Sequence, residues 1–227
     1  MNEANKNLKG SPLYESLHGD GESRGMSLFY LVLTLVLLAV FAFRVYLVDN
    51  YGGVEVSGSS MYQTLYDGEQ LLMKNSDGTD AKRGDVIVVY VGNYDEFGGS
   101  NTKFLIKRLI AVEGDKIRCT KGEMEICYAG TNAWVDLDEP YAYYTDKDKY
   151  TFAEYTVGEG EVFFLGDNRN NSHDSRYQEG GSRLDRLYKR SDIVGIVPQW
   201  AIDYQWVIEK IFFNPIGGFV ASKKTEK

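Results

Sequence analysis

The hydrophobic pattern changes character near residue 50. Residues 26–43 read MSLFYLVLTLVLLAVFAF, 18 consecutive positions without a charge, and Val45-Tyr46-Leu47-Val48 prolong the run if Arg44 extends its charge toward lipid headgroups. At about 1.5 Å per residue such a helix just crosses a hydrocarbon core. The run exceeds the apolar stretch of a cleavable leader, and Phe41-Ala42-Phe43-Arg44 offers no small-x-small cleavage site, so residues 26–48 are predicted to be a retained transmembrane anchor. The polar residues 1–25 read as a mobile tail.

Past the anchor, short apolar runs alternate with turn signals at Asp67-Gly68, Asp77-Gly78, Gly98-Gly99, Lys121-Gly122 and Gly158-Glu159-Gly160. This is the signature of a mostly β domain over residues 49–227. Strands are predicted at Glu69–Lys74, Asp85–Val91, Lys103–Val112, Lys116–Cys119, Met124–Tyr128, Glu161–Leu165 and Ile193–Val197. Residues 130–157, rich in tyrosine and charge, read as a solvated excursion inserted on the sheet, and the Trp206–Val220 tail as packing on the domain.

Composition narrows the partners. Residues 50–227 hold 28 acidic against 21 basic side chains and show no basic stripe with interleaved aromatics, so nucleic acid is not expected. Two cysteines are too few for a disulfide framework or a four-cysteine zinc site. Cys119 and Cys127 flank the Lys121-Gly122 turn, and two states stay open: a cross-strand bridge, which needs a bulge because a two-residue turn sets Cys119 opposite Met124, or two reduced thiols. Lys6, Lys9 and Arg24 precede the apolar span and Arg44 is the lone base close after it, which favours a cytoplasmic N-terminus and an extracytoplasmic domain.

The candidate chemistry lies in three segments. Ser57-Gly58-Ser59-Ser60-Met61-Tyr62-Gln63-Thr64-Leu65 is a small-residue loop presenting serines, open to close approach by a bound peptide. Lys107 falls within the predicted strand Lys103–Val112, where alternation puts it on one face with Leu105, Leu109 and Ala111; burial there would lower its pKa toward that of a general base. Gly166-Asp167-Asn168-Arg169-Asn170-Asn171-Ser172-His173-Asp174-Ser175-Arg176 is a polar loop whose acids and arginines can pair. Of the two histidines, His18 precedes the anchor and His173 reads as a surface loop residue, so a Ser/His/Asp triad is weakly supported.

In this order the segments resemble those of the bacterial type I signal peptidases, membrane-anchored Ser/Lys proteases, over roughly residues 26–197. The loop matches G-x-S-M-x-P-T-L except for Gln63 at the proline, the strand matches K-R-x-x-x-x-x-G-D through Lys107-Arg108 and Gly114-Asp115, and Lys82-Arg83-Gly84-Asp85 matches a further box read as a turn. The resemblance implies Ser60 as nucleophile, Lys107 as base, Ser172 orienting the lysine, and Asp174 with Arg176 as a supporting ion pair. It puts the oxyanion hole at the Ser60 N–H and at Gly58, where some members carry a hydroxyl, and offers Met61 and Tyr62 to the substrate. It implies no metal or cofactor. Signal peptides, the phospholipid membrane and the protein export machinery are the implied partners. A non-catalytic, membrane-tethered assembly factor of the same fold is the alternative, and would be expected to lack the serine or the lysine.

Overall fold

The computed structural model describes residues 20–91, 104–176 and 188–210. The chain divides into two compact units, Met1–Asn50 and Tyr51–Lys227. The described part of the first is one helix, α1 (Asp20–Asn50), whose stretch Gly25–Asn50 contains an 18-residue window of mean hydropathy 2.6 and is long and apolar enough to cross a membrane. The anchor expected at 26–48 is thus the central part of a longer helix.

The second unit is mostly β. Its elements are β1 (Tyr51–Glu55), β2 (Gln70–Asn75), β3 (Val86–Tyr90), β4 (Phe104–Val112), β5 (Lys116–Thr120), β6 (Glu123–Cys127), β7 (Trp134–Asp136), β8 (Phe152–Thr156), β9 (Glu161–Leu165), β10 (Tyr188–Lys189) and β11 (Ile193–Val197). Two short helices follow, α2 (Gln199–Asp203) and α3 (Gln205–Ile208). A seven-stranded sheet runs β1-β2-β11-β3-β4-β9-β10 and a four-stranded one β7-β6-β5-β8, every strand pair antiparallel. Strand β3 sits mid-sheet with both faces covered: Val86 and Val88 enter one hydrophobic cluster, Ile87 another together with Val89. That explains an apolar run without polar alternation. The predicted strands are present; β1, β7, β8 and β10 are additional.

Strand β4 departs from simple alternation. Leu109 faces Phe164 of β9, yet Ala111 faces Phe163, so Ile110 is an extra residue in a bulge. Leu109 keeps company with Leu105 in one cluster, while Ala111 joins Ile110 in a second core formed with β5, β6 and β9. The common face expected for Leu105, Lys107, Leu109 and Ala111 therefore ends at Leu109.

The tyrosine-rich excursion is not a solvated loop. It supplies β7 and β8 to the second sheet, Tyr150 is 3% exposed, and Tyr144 and Phe152 pack edge-on to the Tyr150 ring. On the C-terminal segment, Ile208 is buried in the first core but Trp206 is 61% exposed; the rest of that predicted tail, residues 1–19 and the Gly98-Gly99 turn lie outside the described residues.

Lys121 and Gly122 both take positive φ, 51° and 75°, the turn that closes a two-residue hairpin. With Thr120 opposite Glu123, Cys119 faces Met124 and Cys127 faces Lys116, three rungs apart. That is about 10 Å along the ladder, beyond the reach of a disulfide. Both cysteines are free and buried, and burial pushes the Cys119 thiol up to about 11. The bridged state left open by the sequence is excluded by this register. Alkylation of denatured, unreduced protein is expected to add two labels by intact mass; no label without prior reduction would contradict the register.

Candidate active site

Three elements converge on one point of the second unit. The loop after β1 turns back on itself, with Tyr62 N–H donating to the Ser59 carbonyl and Leu65 N–H to that of Met61, and buries Leu65 and Met61 in the first core. This fixes Ser60 at the loop's crest. Strand β4 brings Lys107, directly opposite Ile87 of β3. The segment after β9 brings Gly166 through Arg176.

Lys107 Nζ lies 2.7 Å from Ser60 Oγ and 2.9 Å from the Ile106 carbonyl, and the residue is only 3% exposed. Desolvation lowers its pKa from 10.5 to about 8, against the pull of Asp174 and Asp167 toward the charged form. An amine that sheds its proton near neutrality, in contact with a hydroxyl, can act as that hydroxyl's base. Beside the pair runs a cleft of about 700 Å³ lined by residues 54–61, 104–107 and 170–173.

The carbonyls on the serine side are tied down. Asn168 donates from its backbone N–H to Ser60 O and from Nδ2 to Ser59 O, both at 3.0 Å, and Asn171 Nδ2 donates to Ser59 Oγ at 3.0 Å. Further along the loop Thr64 Oγ1 donates to Asp167 Oδ2 at 2.5 Å. Asp167 also receives both arms of Arg108, from Nε at 2.8 Å and Nη2 at 2.6 Å, and the Arg108 guanidinium lies 3.8 Å from the Tyr141 ring centre. Asp174 pairs with Arg176 at 2.9 Å and accepts the Gly166 N–H at 3.2 Å. Gly166 leaves no room for a side chain: a β-carbon there would come within 2.6 Å of Ser172 Cβ and 2.5 Å of the Ser60 carbonyl oxygen.

Several expected contacts are placed otherwise. Met61, offered to substrate, borders the cleft but is 1% exposed, with its side chain packed in the core. Tyr62 packs edge-on against Tyr66 and Tyr143 and is not part of the cleft wall. The Gly58 N–H donates to Asp67 Oδ1 at 2.7 Å and is therefore spent as an oxyanion donor, whereas the Ser60 N–H has no partner among the described residues. Ser172 Oγ does not bond Lys107; it is buried with no partner among the described residues. His173 is exposed on the cleft rim, and the hydrogen bond to Ser60 comes from Lys107.

Sequence reasoning missed Asp167, Asn168 and Tyr141. The unpaired arginine on an apolar strand was the available signal for Asp167. Arg83, in a box read as a plain turn, makes a two-armed pair with the fully buried Asp115 at 2.7 Å. Among the described residues no group of acidic, histidine or cysteine side chains could hold a metal ion.

The sequence profile of the signal peptidase, peptidase S26 family matches residues 26–201. The chain belongs to this family. Signal peptidase I T of Bacillus subtilis (strain 168) is 30% identical over 181 residues, covering 75% of this chain and 82% of that protein. Signal peptidase I P of Bacillus subtilis subsp. natto is 31% identical over 175 residues, covering 71% and 81%. Among solved structures, a signal peptidase I from Enterococcus faecalis V583 is similar at 24% identity with a TM-score of 0.38, covering 53% of this chain and 98% of that one.

A buried ammonium is costly, and below about pH 8 the folded protein carries that cost; it is relieved as pH rises from the folded value of about 8 toward 10.5. Lys107→Met is therefore expected to melt above the wild type near pH ~6, with the gap shrinking above pH ~9. Thermal unfolding at both pH values measures this; a gap that widens with pH would contradict a desolvated amine.

Proposed function

We propose that this chain is a membrane-bound serine endopeptidase that removes N-terminal signal peptides from exported preproteins. The observation that carries the reading is the 2.7 Å contact between Ser60 Oγ and a buried lysine amine, in a chain of the signal peptidase family. The intact pair argues against a non-catalytic assembly role.

The chemistry follows from the geometry. Neutral Lys107 accepts the Ser60 hydroxyl proton as Oγ bonds to the scissile carbonyl carbon. The resulting oxyanion takes the Ser60 N–H as donor. Collapse breaks the C–N bond, and Lys107 returns the proton to the leaving amine, leaving an acyl ester on Ser60. Water then repeats the sequence: its oxygen bonds to the acyl carbon, its proton passes to Nζ, and the ester C–Oγ bond breaks with the proton returning to Oγ. The substrate lies extended in the cleft between the residues around Val54 and the start of β4, with small side chains at alternate positions filling its shallow recesses.

Cleavage of a signal-bearing precursor by the full chain tests this. Ser60→Ala should abolish cleavage while Ser57→Ala and His173→Ala retain most of it. Lys107→Arg, which keeps its charge, should be inactive. Because the lysine must be neutral, kcat/KM should climb about tenfold per pH unit below about pH 8 and level off above it. Inactive His173→Ala beside active Lys107→Arg would hand the base to histidine.

The anchor fits a single-pass topology, residues 1–25 cytoplasmic and 49–227 extracytoplasmic, from the charge bias across the span. Protease added to intact spheroplasts should then digest the β domain. Complete protection would reverse the topology.

A further inference from the structure

The peptide that joins Ser59 to Ser60 carries two groups of different use. Its N–H is the oxyanion donor of the proposed reaction, and its carbonyl is that of Ser59. The unit is planar and trans, so the two bonds point in opposite directions and turn together. Whatever holds the Ser59 carbonyl therefore aims the Ser60 N–H.

One residue holds it. Asn168 Nδ2 donates to Ser59 O at 3.0 Å, and the Asn168 backbone N–H donates to Ser60 O, also at 3.0 Å. These carbonyls lie on either side of the Ser60 Cα, so both peptide planes that meet at the nucleophile are pinned by a single residue. Asn168 is 6% exposed and stands apart from the cleft wall, whereas Ser59 and Ser60 both line the cleft. The Ser59 carbonyl thus points to the covered side and the Ser60 N–H points away from it, with no partner among the described residues. So close an approach depends on glycine at position 166, where a β-carbon would stand 2.5 Å from the Ser60 carbonyl oxygen.

Packing does not account for this asparagine. Its Oδ1 is buried with no hydrogen-bond partner among the described residues, a cost that an apolar side chain would not carry. What the amide adds is the donor on Ser59. Resting on the function proposed above, we propose that Asn168 is the positioning residue of the oxyanion site: by gripping the Ser59 carbonyl it sets the direction of the Ser60 N–H before charge develops on the substrate oxygen. A donor aimed in advance costs no reorganisation when the tetrahedral species forms. The Lys107 amine bonds Ser60 and the Ile106 carbonyl, not Asn168, so the base is independent of this contact.

Asn168→Leu keeps the branching of the side chain and deletes the donor. With the full chain and a small-x-small precursor, kcat is expected to fall about ten- to hundredfold at unchanged KM, the scale of a misdirected oxyanion donor. The rise of kcat/KM with pH should still level off at about pH 8, because Lys107 keeps its surroundings. A small-x-small peptide aldehyde gives a second readout. Ser60 Oγ bonds to its carbonyl carbon, the Oγ proton passes to Lys107, and the new oxyanion takes the Ser60 N–H. Its inhibition constant should weaken by the same factor as kcat. Asn168→Ala, smaller and free of any clash, should show the same pattern and carries the test if Asn168→Leu melts early. Wild-type kcat and aldehyde affinity in the variants would overturn the assignment. So would a loss confined to KM or a displaced pH midpoint, either of which marks a merely structural part. A wild-type chain that neither cleaves the precursor nor binds the aldehyde would instead overturn the proposed function.

Discussion

Burying charge requires matching it, and the way this domain does so fixes the character of its lysine. Asp115, Asp167, Asp174 and Glu139 are each almost or fully buried and each meets an arginine: Arg83, Arg108, Arg176 and Arg169. Arginine keeps its proton under all ordinary conditions, and its planar fork satisfies both oxygens of a carboxylate. With these carboxylates claimed, Lys107 is left with a hydroxyl and a backbone carbonyl as its hydrogen-bond partners. Had one of those acids bonded the lysine instead, the amine would have stayed charged and useless as a base. The arginine pairs thus act on the chemistry by what they withhold from Lys107.

The same pairs tie remote parts of the chain to the nucleophile. Asp167 receives both Arg108 of β4 and Thr64 of the serine loop, while Tyr141 from the excursion lies against Arg108. Tyr143 N–H donates to the Asp167 carbonyl and Arg169 N–H to that of Tyr143, so the excursion is stitched to the segment that carries Asn168. Asn168 in turn holds the Ser59 and Ser60 carbonyls. A tyrosine-rich stretch that looks solvent-facing in sequence is in fact a wall of the site's electrostatic frame.

Legibility followed physical range. Strands such as β3 and β9 announce themselves because unbroken apolar runs have few alternatives to a covered sheet. The Ser60 and Lys107 pair was readable because the segments that carry them match the family's motifs in order; a loop serine or a strand lysine alone would have pointed to no chemistry. Strand β1 was missed because Gly52-Gly53 weakens its local preference, and pairing with β2 supplies what propensity does not. Strands β7 and β8 were hidden by charge and tyrosine for a related reason: their stability comes from the hairpin they flank. The partners of Arg108 and Arg83 lie 59 and 32 residues away, and no local pattern encodes such pairings. The fates of Met61 and the Gly58 N–H depended on how one short loop turns, which composition does not determine.

The bulge at Ile110 reconciles two demands on one strand. Up to Leu109, β4 keeps the phase that places Lys107; beyond it, the strand is rotated to serve the core shared with the second sheet. One unpaired residue absorbs the mismatch between the two phases. The pairing of the second sheet can therefore keep its own phase without passing a register error back to the lysine. The bulge acts as a joint between the length of β4 that holds the lysine and the length that serves the second sheet.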